Sequence, residues 1–353
     1  MSDPAHRETD RLIKEIERRL SKEYKKAERE IAEKLFDYLR RFLKKDETWQ
    51  KWVSRGLRTQ KEYDKWRVGQ MAIGKRWEEM RETLATDYHN VNLIAKSIVN
   101  GYMPEVYALN HNYGTFQVEQ ASKVDTSYSL YNRQAVERII KKNPDLLPPP
   151  GRDLASRIAA GLDIKWNRQQ IQSTMIQGLL QGEPIPALAT RLADTVGDKN
   201  RKSAIRNART MATGAQNAGR LDSYDRAQRM GIKLNKQWLA TLDSRTRHTH
   251  RALDGQTVPI KDPFEVDGME IMYPGDPEAT PALVWNCRCT MKADLEGFED
   301  DLSDLNLRRS DKLGSMTYQE WKESHVVTSN PIDLPERKAE AFRWSYINEY
   351  RRG

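Results

Sequence analysis

Apolar positions near the start of the chain recur with a helical period. Leu12, Ile16, Leu20, Tyr24, Ala27, Ile31, Leu35, Tyr38 and Phe42 fall three or four residues apart, with Lys, Arg and Glu between them. The spacing predicts one amphipathic helix over roughly 8–46, uninterrupted by Gly or Pro. A tryptophan-rich link, Trp49 to Trp52, and then Gly56 break the pattern. A second stripe follows, formed by Trp66, Ile73, Trp77, Met80, Leu84, Tyr88, Val91, Ile94 and Ile98. It predicts a helix over roughly 60–100, ended by Gly101 with Pro104 beyond. Residues 1–100 are therefore expected to form a long helical hairpin, its stripes buried on each other or on another subunit.

Residues 101–150 are expected to be an irregular linker region. Tyr102 to Tyr131 is rich in tyrosines and small polar residues and fits helix, loop or strand alike. The run Leu146-Leu147-Pro148-Pro149-Pro150-Gly151 is the strongest punctuation in the chain. A helical middle region, 151–231, should follow. It comprises helices at about 152–160 and 165–181, a Gly182-Glu183-Pro184 turn into a helix through Asp194, and a basic helix from about 199 to 230 closed by Gly231. The turn at Gly182 superficially resembles a helix-turn-helix, although such turns are common in helical proteins.

After Gly231 the period changes. Lys236 to Thr241 alternates like a strand, and short strands at about 256–260, 269–273 and 287–293 would complete a small α+β domain over 232–295. Asp243 or Ser244 could cap a short helix running to Leu253, and Asp254-Gly255 makes a tight turn. The tail, 296–353, is acidic from Glu296 to Asp304, and Thr317-Tyr318-Gln319-Glu320 reads as a capping box. The fold class is mainly α with a small α+β C-terminal domain.

A hydrophobic fraction of 38% against 31% charged residues favours long solvated helices over a barrel or doubly wound sheet. No run is long enough for a membrane span, and Met1 to Arg11 lacks the apolar core of a signal peptide, so the cytoplasm is the expected site of synthesis. The net charge of +8 is unevenly spread. Residues 198–251 hold 13 Lys/Arg against 4 Asp/Glu, which makes Arg201, Lys202, Arg206 and Arg209 candidate contacts for a polyanion such as double-stranded DNA.

Both cysteines sit one residue apart in Asn286-Cys287-Arg288-Cys289. With His250 they supply three ligands suited to a structural zinc ion, and Asp243, Asp254 or His248 could add a fourth. The competing reading is a metal-free polar network, in which Asp243 caps or pairs with Arg245 or Arg288, His250 bonds a backbone carbonyl, and the two reduced sulfurs share one face. A third reading pairs His250 with Cys287 or Cys289 as a nucleophile and base, or assigns Asp, Arg and His to a nuclease. The chain has no Walker loop, no His-Glu-x-x-His helix and no Gly-x-Ser-x-Gly elbow, so catalysis is not expected.

The order Trp238, Asp243-x-Arg245, His250, Gly255, Phe264, Pro274-Gly275-Asp276 and Asn286-Cys287-Arg288-Cys289 resembles the phage minor head proteins, the head-morphogenesis family typified by protein F of phage Mu. Ala208-Arg209-Thr210 and the helical first half resemble that family too. The resemblance implies a structural virion component of a tailed bacteriophage, made in the host cytoplasm and lodged inside the capsid near the portal. It implies the portal protein as partner, with the major capsid or scaffolding protein and packaged DNA as further candidates, in head assembly, DNA packaging or DNA ejection.

Overall fold

The computed structural model describes residues 3–142, 154–295 and 308–325. Helix α1 spans Pro4–Leu39 and passes through a single 3-10 turn, Arg40–Phe42, into α2, Leu43–Ser54. Helix α3, Gln60–Met71, is followed by the 48-residue α4, Lys75–Ser122. A two-residue strand β1, Val124–Asp125, leads to α5, Arg133–Lys142. Then come α6, Leu154–Ala159, α7, Leu162–Leu180, and the 45-residue α8, Ile185–Arg229. The remainder alternates: β2 Asn235–Leu239, α9 His248–Leu253, β3 Thr257–Pro259, β4 Phe264–Val266, β5 Met269–Ile271, α10 Pro281–Val284 and β6 Thr290–Asp294. Strand β7, Arg308–Arg309, and helices α11, Asp311–Ser315, and α12, Tyr318–Ser324, close the described chain. No helix among these residues is long and apolar enough to cross a membrane.

The chain divides into two compact units. One takes residues 16–98 and 154–206. Here the predicted stripe of α1 is buried from Ile16 to Tyr38, and Tyr24 donates to Asn92 of α4 at 2.6 Å. A file of amides continues inward: Asn92 donates to Asn200 of α8 at 3.0 Å, and Asn200 to Asn167 of α7 at 2.8 Å. Arg67 of α3 is buried, pairs with Asp46 at 3.2 Å and donates to the Leu179 carbonyl at 3.1 Å, so it caps the end of α7.

The other unit takes residues 3–15, 99–142, 207–295 and 308–325. Its α-helical part joins the start of α1, the second half of α4 and the second half of α8. Strands β3, β2 and β6 form an antiparallel sheet in that order, with Trp238 opposite Met291, while β4 pairs with β5 and β1 with β7. Val118, Tyr224, Ile232, Leu234, Tyr273 and Met291 form the core that joins helix to sheet. Trp321 of α12 is fully buried, packs on Phe116 and Tyr128 and donates to Glu119 at 2.6 Å. The capping box at Thr317 forms as expected, Glu320 accepting from the Thr317 amide at 2.8 Å.

Several expectations need correction. Trp49 and Trp52 lie inside α2, where their rings pack edge-on at 5.4 Å, and are not a link. The second predicted helix is broken at Gly74, whose φ of +93° an L side chain resists, and α4 restarts there with Trp77 bonded to the Gly74 carbonyl. Ile73, beside the break, and Ile94 are exposed, while Trp77, Leu84, Tyr88 and Val91 of the expected stripe are buried together with Ala95 and Val99. The helix does not end at Gly101. It runs on through Pro104 to Ser122, and nearly every side chain between Tyr102 and Val118 is at least partly shielded from water. Burial on all sides outweighs the backbone hydrogen bond that Pro104 cannot donate.

Likewise α8 passes without a break through Gly197, where two helices were expected. Strands β3, β5 and β6 are shorter than expected, and β4 is additional. Asp243 caps no helix: the N-cap of α9 is Arg247, and no side chain bonds there. The proline run 148–151 and the acidic stretch 296–304 lie outside the described residues.

One close approach ties α8 to the Pro274-Gly275-Asp276 turn. A Cβ on Gly214 would stand 2.8 Å from the Gly275 carbonyl oxygen, and one on Gly275 would stand 2.6 Å from the Gly214 nitrogen. Gly275 also has φ +83°. Gly214→Ala should therefore lower stability by about 1–3 kcal/mol despite the better helix propensity of Ala. Gly101→Ala, which meets nothing within 4 Å, should raise it by up to about 1 kcal/mol. Urea unfolding of the two variants checks the opposite signs.

Candidate functional site

The residues singled out by sequence converge where β2, α9, α10 and the segment 286–289 meet. Trp238 of β2 is fully buried, 5.9 Å from the His250 ring and 5.2 Å from Phe264, both edge-on. Leu253, Phe264, Ile271, Leu283 and Val284 complete the apolar shell around Cys287 and Cys289. Gly255 sits in a turn, its amide bonded to the Trp238 carbonyl at 2.9 Å, so α9 is folded back onto β2. Asn286 takes φ +55°, a left-handed conformation that Asn tolerates better than most residues, and its amide donates to Thr210 Oγ1 at 3.1 Å.

Helix α8 then holds the extended chain after Asn286 by its carbonyls. Thr213 Oγ1 donates to Cys287 O at 2.7 Å, Asn217 Nδ2 to Cys289 O at 3.2 Å, and Arg220 Nη1 to Met291 O at 2.8 Å. Asn217 also donates to Pro274 O at 3.0 Å, joining this segment to the Gly275 turn. Arg220 is fully buried, ion-paired with Asp3 and bonded to Asn110 at 3.2 Å. None of Thr213, Gly214, Asn217 and Arg220 was picked out from sequence. The available signal was Met211 to Gly219, nine residues without a charge inside an otherwise charged helix.

With these carbonyls turned to α8, the side chains of 287 and 289 fall together and that of Arg288 falls apart from them. The three residues are extended but lie outside any strand. Arg288 makes a two-pronged pair with Asp243, at 2.6 and 2.7 Å. That guanidinium, helped by the Arg245 amide at 2.9 Å, holds the Asp243 carboxyl well below the usual carboxylate range. Arg245 itself is largely exposed and only 3.9 Å from Asp243.

The sulfurs and the His250 ring form a buried cluster in which one ligand atom from each residue lies within 4.8 Å of the others. His250 Nδ1 is 3.2 Å from Cys289 Sγ and 3.7 Å from Cys287 Sγ. Nε2 lies 2.9 Å from the Leu283 carbonyl, which can only accept, and 3.0 Å from Arg247 Nη2, which can only donate, so these two partners make opposite demands on the ring hydrogen, while Nδ1 is the nitrogen that faces the sulfurs. Arg247 donates to the same carbonyl at 3.4 Å. Cys289 is held down, to about 5, by the Cys287 thiol that bonds to it and by His250, against the effect of burial. Burial pushes the Cys287 thiol up, and its neighbour Cys289 adds to the rise.

The suggested fourth ligands are elsewhere. Asp243 is engaged with Arg288, Asp254 accepts from the Ala240 amide at 2.8 Å, and His248 is exposed. Of the basic candidates on α8, Arg201 and Lys202 both pair with Asp198, while Arg206 and Arg209 lie on the exposed side of the helix.

Residues 169–292, from the middle of α7 into β6, match the family described as Phage Mu protein F like protein. About a third of the chain is thereby similar to the Mu F-like family, which supports a minor head protein of that kind. Two relatives bear on what such a chain does. "Minor head protein GP7" of Bacillus phage SPP1 is 24% identical over 289 residues, 82% of this chain and 85% of that protein. "NAD(+)--arginine ADP-ribosyltransferase EFV" of Enterococcus faecalis is 28% identical over 207 residues, 58% of this chain. The matched part spans only 40% of that transferase's length. No solved structure matches the chain significantly. The matched family region holds every residue of the cluster and every α8 side chain that grips it.

Beneath the Mu F-like cluster, Lys236 of β2 is fully buried, 5.1 Å above the Phe264 ring, and donates to the Met272 carbonyl at 2.8 Å. Burial pushes its ammonium down to about 7, with Asp276 and Asp262 opposing the shift. The unfolded chain keeps this proton up to the ordinary lysine range, so the folded state gains stability as pH rises from 7 towards 10. The gain should reach up to about 1.4 kcal/mol per pH unit, and Lys236→Met should remove it. Thermal unfolding of both proteins at pH 7 and pH 9.5 measures the difference.

Proposed function

We propose that this protein is a structural minor head protein of a tailed phage, lodged inside the capsid at the portal. There it works in head assembly and in the packaging or ejection of DNA. The observation that carries this reading is the match to the SPP1 minor head protein across more than four-fifths of both chains. The transferase match leaves more than half of that relative unmatched and does not support a transferase activity here. The portal protein is the principal partner, with major capsid or scaffolding protein secondary, and assembly takes place in the host cytoplasm.

The cluster chemistry supports a non-catalytic role. A cysteine beside a histidine could serve as a nucleophile, but Cys287, Cys289 and His250 are each no more than 3% exposed, under a shell of apolar side chains. A DNA-handling role is the second reading, favoured by the exposed Arg206 and Arg209. It differs in its salt response, because phosphate contacts release counterions and weaken steeply as salt rises.

Co-sedimentation of the purified chain with its own phage's portal rings, stepped from low to high salt beside a DNA control, tests the first reading. Retention on portal at salt that strips DNA is expected. Binding to DNA alone would put the DNA-handling reading first. In the same assay, charge reversal of Arg201, Lys202, Arg206 and Arg209 should abolish DNA retention and leave portal retention unchanged.

A further inference from the structure

The structure assigns a zinc site to His250 Nδ1, Cys287 Sγ and Cys289 Sγ. The ion acts as a staple for β2, α9 and the 286–289 segment and takes no part in a reaction.

Four observations lead there. First, the donor set is the kind zinc selects, two thiolates and a neutral imidazole, and all three groups are buried. Second, the spacing fits. Bonds of about 2.3 Å to sulfur and 2.0–2.1 Å to nitrogen in a tetrahedral shell put nitrogen about 3.5 Å from each sulfur. The observed separations, 3.2 and 3.7 Å, lie either side of that value.

Third, the ring is oriented for ligation. Nδ1 faces both sulfurs. With a metal on Nδ1, the hydrogen on Nε2 would meet the Leu283 carbonyl, 2.9 Å from Nε2, the kind of partner found behind metal-bound imidazoles, with Arg247 Nη2, 3.0 Å from Nε2, turning to the same carbonyl. Fourth, backbone amides are aimed at the sulfurs. The Cys289 amide lies 3.4 Å from Cys287 Sγ, and the Thr241 amide bonds to Cys289. Such donors stabilise sulfur carrying negative charge. On binding, both thiols would ligate as thiolates and give their protons to solvent, so a divalent ion leaves the buried cluster with no net charge.

The position of the site explains what the ion would hold. The chain from Ala240 to Arg247 carries no regular structure apart from turns, and α9 has only six residues. Helix α8 fixes the backbone of 287–291 on one side. Without an ion, α9 is attached to that segment chiefly through the ring of His250 and the packing of Leu253. A metal bond to His250 would fasten α9 to the segment directly, in a unit whose sheet strands are no longer than five residues.

The test uses the full chain, purified without chelator from cells grown with added zinc. Metal analysis by mass spectrometry should find about one zinc ion per chain. Exchange into cobalt(II) should produce a near-ultraviolet thiolate-to-cobalt band and the intense visible bands of tetrahedral cobalt. Cys287→Ser combined with Cys289→Ser should remove both zinc and the band. Should that variant misfold, the cobalt spectrum of the unaltered chain still reads the ligands directly. The proposal is overturned by zinc at background level with no thiolate band on cobalt addition, both thiols being shown reduced by titration in denaturant. A weak spectrum typical of oxygen ligands alone would overturn it equally.

Discussion

The unit that holds the cysteine cluster depends on one row of contacts, the hydrogen bonds from Thr213, Asn217 and Arg220 of α8 to the carbonyls of Cys287, Cys289 and Met291. A helix and an extended chain keep different steps. From residue 213 to 220 the helix advances about 10.5 Å, whereas four residues of extended chain cover about 13 Å. The mismatch is absorbed by side-chain length, with the short Thr213 at one end and the long Arg220 at the other. Because the bonded carbonyls belong to alternate residues, the register is locked. A slip by one residue would turn Arg288 into the buried cluster and the two sulfurs away from His250.

This arrangement is costly in isolation and stable in context. Arg220, Asn110, Asn217 and Thr213 are all buried, and a buried polar group without partners destabilises a fold by several kcal/mol on the order-of-magnitude scale of transfer data. Each of the four is bonded, and Arg220 alone gathers the start of α1 through Asp3, α4 through Asn110 and β6 through Met291. Such a network favours one packing over alternatives that bury the same apolar area, since any other packing leaves some of these groups unpaired. The glycine pair 214 and 275 belongs to the same contact, as backbone meets backbone where a methyl group would hold them apart.

The chain is similar in sequence to both a minor head protein and part of an ADP-ribosyltransferase. A fold of this kind is a framework on which different chemistries are carried, and function has to be argued from accessible groups. Here the reactive-looking residues are sealed under Trp238, Phe264 and Leu283, while the accessible features are charged helix faces. That division places the charged, accessible surface on the helices and leaves the cluster inside the core.

How much could be read in advance varied with the kind of signal. The stripe from Leu12 to Tyr38 was legible because one side of α1 is buried and the other solvated, which imprints a period on the residues. The cysteine block was legible because unusual residue types stand close together in the chain, and the Thr317 capping box because its chemistry is local. Residues 101–122 were not, since a helix buried on all sides carries no stripe, and its Asn110, His111, Asn112 and Glu119 look like loop residues until their partners are known. By itself the sequence determined those features whose cause lies within a few residues: helix periodicity, caps, turns and the identity of the cluster's donors. Tertiary structure decided which carbonyls α8 would grip, that Asp243 would bind Arg288 rather than Arg245, and that His250 would turn Nδ1 to the sulfurs. Those outcomes rest on contacts between residues some 30 to 75 positions apart, whose pairing no local pattern records.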